Sequence, residues 1–182
     1  MQKKKENQRF SFVRPKLAKR GQLNLSFGMI FSIFTIILFI SVAFYAIEKF
    51  LTLQSATQAA KFASDLQNDV NNVWKSSQSS DKIEYFLPSK VKLVCFADLS
   101  TSSRGPNENL YKEFQRISST ENENLFFYPI GSLEGFDSLE IKNIDLGKTT
   151  FDENPFCINN VNGKAGVRIK KDFSESRVTI AR

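Results

Sequence analysis

The pattern of apolar and polar positions divides the chain into an apolar run, an amphipathic stretch and a region of short alternating patterns. Residues 23–47 contain no charged side chain, and their few polar members are small. As a helix, this run would be about 37 Å long, enough to cross a hydrocarbon core of about 30 Å. It therefore predicts a transmembrane helix over residues 22–47. The alternative, a buried core helix, is disfavoured by the length of the uncharged run.

The same helix is predicted to continue beyond the membrane as an amphipathic segment, residues 48–76. The segment contains neither Pro nor Gly, and its apolar positions recur at alternating gaps of three and four, the spacing of one helical face. These positions are Ala59, Phe62, Ala63, Leu66, Val70, Val73 and Trp74. A Ser-rich stretch, 75–81, is expected to end the helix. We expect the stripe to pack on the chain's own outer domain; a seam shared with other subunits is the alternative.

Residues 77–182 change to period-two patterns and turn signals, which predict about five to seven mainly antiparallel strands. Strands are expected at 83–87, 91–97, 125–130 and 139–146, and around Val167, Ile169, Val178 and Ile180. Asn162-Gly163 is a strong hairpin signal, and residues 107–118 are predicted to form one short helix. The predicted fold class is α+β. A long N-terminal helix, its first half transmembrane, packs on a C-terminal β-rich head.

Charge predicts the orientation of the span. The chain of 182 residues carries 25 Lys and Arg and 19 Asp and Glu. Residues 1–20 hold eight of the basic groups and one acid, which leaves 17 basic and 18 acidic groups in residues 21–182. Lys16, Lys19 and Arg20 stand closest to the span, so the positive-inside rule places the tail, 1–21, in the cytoplasm and the head outside.

The sequence also disfavours two functions, nucleic-acid binding and enzyme activity, and one targeting signal, a cleaved secretory signal. A nucleic-acid-binding domain needs its positive charge on a folded face, whereas here the excess lies in the tail, so we expect no nucleic-acid partner. The apolar run is too long for a cleaved secretory signal. The chain has no His and only two Cys, which removes imidazole chemistry and zinc-finger spacing. We expect no enzyme activity, no cofactor and no metal site.

The two cysteines, Cys95 and Cys157, both lie in strand-like runs of the domain that is predicted to be outside. Disulfides persist in that compartment. A bond between them would stabilise the fold by about 4 kcal/mol through the entropy of the unfolded chain. We therefore predict a Cys95–Cys157 disulfide; two separate buried thiols are the alternative.

The junction before the apolar run carries a recognisable motif, Lys19-Arg20-Gly21-Gln22. It resembles the class III signal peptide of archaeal type IV pilin-like proteins. That resemblance implies cleavage after Gly21 by a membrane prepilin-type peptidase, a mature chain that starts at Gln22, and lateral association with other pilin-like subunits through the apolar helix. It also implies the pilin-like order of parts, a long helix followed by a β-rich head. The head's own sequence is not part of the resemblance.

The chain departs from the pilin pattern at two positions. Ser26 occupies the fifth mature position, where pilins often have Glu, and Asn24 occupies the third, where Ser is common. Without that carboxylate, its pairing with a neighbouring subunit's N-terminus is lost, which argues against a major-pilin role. The expected protein is thus a single-pass cell-membrane protein, in contact with the lipid bilayer, with a structural or interaction role as a pilin-like or minor-pilin-like subunit. The alternative is an uncleaved, monomeric, anchored binding module of unknown ligand.

Overall fold

The computed structural model describes residues 26–133 and 135–182, and the chain divides into two compact units, Met1–Ala43 and Phe44–Arg182. The described secondary structure comprises three helices and seven strands. In chain order these are α1 (Phe27–Lys75), β1 (Ser79–Phe86), β2 (Leu93–Phe96), α2 (Glu108–Ile117), β3 (Leu125–Tyr128), β4 (Ser138–Leu139), α3 (Leu146–Thr149), β5 (Phe156–Asn159), β6 (Lys164–Lys171) and β7 (Thr179–Ala181). The α+β class and the antiparallel strands predicted from the sequence are confirmed.

The strands form two sheets in the second unit. One has the order β1-β6-β7 and the other the order β4-β3-β2-β5, and every strand pairing in both is antiparallel. In β6 the buried Val167 and Ile169 alternate with the exposed Arg168 and Lys170. One face of that sheet is therefore solvated, as an alternating pattern indicates.

The outer half of α1 covers both sheets. Its buried residues are Ala59, Phe62, Ala63, Leu66, Val70 and Val73. The ring of Phe62 meets Tyr85 of β1 edge-on at 5.3 Å and Phe127 of β3 at 5.8 Å. These residues belong to one apolar core that also contains the inward side chains of both sheets. The prediction that the stripe packs on the chain's own head is confirmed.

A second, smaller core lies on the other face of the four-stranded sheet, under α2. Phe114 of α2 stacks on Phe126 of β3, with ring centroids 4.7 Å apart. The sheet's central strands are thus covered on both faces, by α1 and by α2. This explains why Leu125, Phe126 and Phe127 form a continuous apolar run in the sequence rather than an alternating one.

The end of α1 at Lys75 agrees with the prediction, and polar contacts hold it. Nζ of Lys171 donates to the carbonyl of Ser76 at 2.8 Å and also to that of Trp74. A cation there complements the helix dipole and satisfies terminal carbonyls. Trp74 is 40% exposed, and its Nε1 donates to the carbonyl of Ser176 at 2.9 Å. The indole thus anchors the helix end by a hydrogen bond.

Two boundaries, the start of α1 and the end of the Ser-rich stretch, differ from the prediction. The predicted start of the span at residue 22 lies outside the described residues; within them, Ser26 is not helical and α1 begins at Phe27. The Ser-rich stretch ends sooner than expected, because β1 already begins at Ser79, where it pairs with Lys171. Sequence composition misplaced that boundary because a partner strand compensates for the weak strand propensity of Ser.

The predicted strand at 139–146 is wrong, since only Leu139 belongs to a strand and Leu146 begins α3. Asn143 has φ 67°, a left-handed conformation that interrupts a strand. The buried Asn124 then takes the place of a strand neighbour: its Oδ1 accepts from the amide of Ile141 and its Nδ2 donates to the same residue's carbonyl, both at 2.9 Å.

The tight turn predicted at Asn162-Gly163 forms, but the hairpin of paired strands does not. Both residues have positive φ, 54° and 79°, and backbone hydrogen bonds join Val161 to Lys164 in a tight turn. The flanking strands β5 and β6 nevertheless belong to different sheets. The turn therefore passes the chain from one sheet to the other instead of pairing its neighbours.

The packing of α1 leads to a stability prediction. Leu66 is fully buried, so Leu66→Ala should destabilise the head by about 2–5 kcal/mol through lost burial and the cavity left behind. The matched control is Leu51→Ala on the same helix, where Leu51 is 50% exposed. The midpoint of thermal unfolding, followed by near-ultraviolet circular dichroism in detergent, should fall only for Leu66→Ala. An equal shift in both variants would contradict the proposed core.

Candidate functional site

The first half of α1 presents large apolar side chains in all directions. Among the described residues it is the one helix long and apolar enough to cross a membrane. The exposed large apolar residues extend from Phe27 to Leu53, beyond the predicted end of the span at residue 47, with Phe50 and Leu53 both 66% exposed. The first unit contributes the part up to Ala43 and the second unit the part from Phe44.

The Ser and Thr hydroxyl groups between Phe27 and Ile47 are satisfied within the helix. Oγ of Ser32 donates to the carbonyl of Gly28 at 2.8 Å, Oγ1 of Thr35 to Phe31 at 2.9 Å, and Oγ of Ser41 to Ile37 at 2.8 Å. Such bonds to the preceding turn give each of these three hydroxyl donors an acceptor. The surface is therefore compatible with a hydrocarbon environment, where an unsatisfied donor costs several kcal/mol.

The residues expected to direct processing and topology, Gly21, Gln22, Lys16, Lys19 and Arg20, lie outside the described residues. Ser26 is described, and the first turn of α1 that follows it carries no acidic residue.

Cys95 and Cys157 form the predicted disulfide. They stand opposite each other on the neighbouring strands β2 and β5, with the two Sγ atoms 2.08 Å apart. The bond joins positions 62 residues apart within the smaller core beneath α2. The disulfide supports the sheet from within the core and is not accessible at the surface, because Cys95 is fully buried and Cys157 is 5% exposed.

One end of the head carries two adjoining depressions, of about 410 and 360 Å³. They share Leu87, Asn162 and Gly163, and lie where β1 ends beside the helix residues Gln58 and Phe62. We call this end the base surface and define it by its exposed residues Phe86, Lys90, Lys92, Val161 and Lys164. Phe86 is 75% and Val161 63% exposed, so two large apolar side chains project from it.

A buried asparagine organises the loop between β2 and α2. Asn154 is fully buried; its Oδ1 accepts from the amide of Asp98 at 3.1 Å, and its Nδ2 donates to the carbonyl of Asp98 at 2.8 Å. The same Nδ2 reaches Oγ1 of Thr101 and the carbonyl of Ser102. Oη of Tyr111 donates to the carbonyls of Leu99 and Thr101. Sequence reasoning missed this cluster; the residue pair Asn154-Pro155, which marks a turn, was its only local signal.

The titratable groups whose pKa values shift all keep their ordinary charge at neutral pH. Burial, and then the hydrogen bond to Oδ2 of Asp69 at 2.6 Å, raise the pKa of the Tyr85 hydroxyl. Burial and the charge of Asp98 raise the pKa of Tyr111. The hydrogen bond from Lys148 lowers the pKa of Glu175.

These groups offer no acid–base pair tuned toward neutrality. Among the described residues there is also no group of three or more potential ligands of the kind that holds a metal ion. The exposed apolar features of the described residues are the first half of α1 and the base surface.

No protein-family model, curated protein or solved structure matches the chain.

The Asn154 cluster leads to a local prediction. Asn154→Ala leaves the amide and carbonyl of Asp98 without their side-chain partner, at a cost of about 1–3 kcal/mol for an unsatisfied buried group. We expect faster hydrogen exchange in residues 98–104, measured by mass spectrometry on the full chain. Asn159→Ala, at an exposed position of β5, is the control and should leave that exchange unchanged. Unaltered exchange in the Asn154 variant would refute the organising role.

Proposed function

We propose that this protein is a single-pass, membrane-anchored surface protein with a structural or interaction role, as a pilin-like or minor-pilin-like subunit. The observation that carries the proposal is the difference between the two halves of α1. Its first half exposes apolar side chains and Ser and Thr hydroxyls that bond to the helix's own carbonyls, and its second half packs on both sheets of a β-rich head. A water-soluble protein rarely exposes an apolar surface of this extent.

The proposed orientation has the N-terminus in the cytoplasm and the head outside. The basic residues before the span support it, since positively charged flanks are retained on the cytoplasmic side. The Cys95–Cys157 disulfide agrees with this placement, because disulfides persist in oxidising compartments.

The pilin-like part of the proposal depends on the junction Lys19-Arg20-Gly21-Gln22. In this proposal a prepilin-type peptidase removes residues 1–21, and the mature protein associates with other pilin-like subunits through the apolar face of α1. The alternative is an uncleaved, monomeric, anchored binding module. The observation that favours it is Ser26 at the fifth mature position, where pilins often have Glu, because that carboxylate is the group with which pilin subunits pair.

The mature N-terminus distinguishes the two forms. Mass spectrometry of protein extracted from its native membrane should give a chain that begins at Gln22, and Gly21→Leu should block the shortening without preventing membrane insertion. The matched control is Gly28→Leu, since a Cβ at Gly28 meets only Oγ of Ser26 at an ordinary 3.6 Å. That variant should be shortened normally.

A membrane-extracted protein that retains Met1 or Gln2 would contradict the processing and favour the anchored monomer. Normal shortening of the Gly21→Leu variant would contradict the proposed cleavage position.

A further inference from the structure

The outer edge of β1 is unpaired. This strand of eight residues has β6 as its one neighbour among the described strands. The amide of Leu87, just after the strand, donates to the carbonyl of Gly163, so every second residue counted back from Leu87 directs its backbone groups toward β6. The residues between them direct theirs outward, and no described residue pairs with these groups. They are Ser80, Lys82, Glu84 and Phe86.

The other edges of the two sheets are occupied or very short. Along β7, the amide of Ile180 donates to Oγ1 of Thr149 at 3.1 Å. Beside β5, the guanidinium of Arg182 donates to the carbonyl of Cys157. Strand β4 has only two residues. Within the described part of the head, β1 is therefore the long edge that stays open, and such an edge is a template for another strand.

The charges on the solvated face of β1 are not balanced within one chain. Lys82 stands directly opposite Arg168 of β6, and neither forms an ion pair with a described residue. Like charges directly opposite each other on neighbouring strands are destabilising. Oε2 of Glu84 lies 3.3 Å from Nζ of Lys164, and the other oxygen of that carboxylate has no described partner. An acid on the open side of Lys82 would supply the missing negative charge.

The strand itself carries that acid two residues away. When two copies of β1 pair antiparallel with Ile83 opposite Ile83, Lys82 of each copy stands opposite Glu84 of the other. Ser80 then stands opposite Phe86. All four facing residues have outward backbone groups, so the two strands exchange about eight backbone hydrogen bonds. A shift of one residue in each strand places Lys82 opposite Lys82, or Glu84 opposite Glu84, so the charges select one register.

We propose that β1 pairs with β1 of a second copy of this chain in this register, across a two-fold axis through Ile83. The pairing joins the two three-stranded sheets into one continuous sheet. It is isologous, so the same strand serves as both partners. On the solvated face, Lys82 gains an acidic neighbour on its open side. On the opposite face, the two Ile83 side chains contact each other.

The pairing differs from the lateral association of α1 proposed above. Within the second unit, β1 runs antiparallel to α1: its beginning lies beside the helix end, where Lys171, the partner of Ser79, binds the carbonyl of Ser76. Near its far end, Tyr85 contacts Phe62. The two-fold axis therefore makes this part of α1 run in opposite directions in the two copies. Copies held by separate membranes or micelles are free to meet in this way, whether or not the leader is cleaved.

The test uses the full chain in detergent with one added cysteine, Ile83→Cys, oxidised with copper phenanthroline. In the proposed pair, residue 83 faces its own copy with Cβ atoms about 4.5–5.5 Å apart, which a disulfide can bridge. The matched control is Ser80→Cys, a more exposed position of the same strand. Its own copy would be six residues away along the paired strand, or about 20 Å.

We expect a disulfide-linked dimer on non-reducing gels for Ile83→Cys and none for Ser80→Cys. Random collision would favour the more exposed Ser80→Cys. Equal dimer in both variants, dimer in Ser80→Cys alone, or no dimer in either would overturn the pairing. None of these results bears on the cleavage after Gly21 or on the membrane anchor, which the mature N-terminus and membrane extraction test separately.

A charge exchange in the Ile83→Cys background tests the register. Lys82→Glu alone and Glu84→Lys alone each place like charges opposite each other twice, so each should weaken dimer formation about tenfold. An equimolar mixture of the two variants restores opposite charges at both positions and should form mixed dimers at the level of the parent. Near-ultraviolet circular dichroism identical to that of the parent shows that each variant is folded.

The matched controls are Lys90→Glu and Glu121→Lys in the same background. Both positions are exposed, lie outside β1 and form no ion pair with a described residue. Each control should form dimer as the parent does. Folded single variants of β1 that dimerise like the parent, or a mixture that dimerises no better than either variant alone, would overturn the proposed pairing of Lys82 with Glu84.

Discussion

The head depends on the burial of one stripe of α1 against both β-sheets. Phe62 shows the geometry most clearly, because a single ring contacts Tyr85 on one sheet and Phe127 on the other. Burying each large side chain of such a stripe contributes about 1.5–3 kcal/mol. Without the helix, the three-stranded sheet would expose the apolar face formed by Val167 and Ile169. The segment that leads out of the proposed membrane span is therefore also the part of the core that joins the two sheets.

The sequence predicted the elements whose signal is local. The three- and four-residue spacing identified the buried face of α1, and the apolar run within 125–130 identified a strand. The sequence-based prediction was wrong where contacts between residues distant in sequence determine the local structure. The left-handed Asn143 and the buried Asn124 replace a strand that Ile141 and Ile144 suggest. The turn at Asn162-Gly163 formed as expected, but which strands pair across it depends on the packing of two sheets.

The candidate site could be predicted only in part, for the same reason. The apolar run and the cysteine pair can be recognised in the sequence from its composition and from their positions along the chain. The base surface cannot, because Phe86 and Val161 are distant in sequence and come together only when the turn at 162–163 approaches the end of β1.

The proposed topology, one helix that crosses the membrane and continues into an outer head, is tested most directly by labelling a single added cysteine in intact cells with a membrane-impermeant maleimide. With Cys95 and Cys157 joined, Ser100→Cys adds one thiol at an exposed position of the head, and Ser11→Cys adds one to the uncleaved tail of a Gly21→Leu chain. We expect Ser100→Cys to be labelled in intact cells and Ser11→Cys only after permeabilisation. The reverse pattern, or labelling of both in intact cells, would contradict the proposed topology.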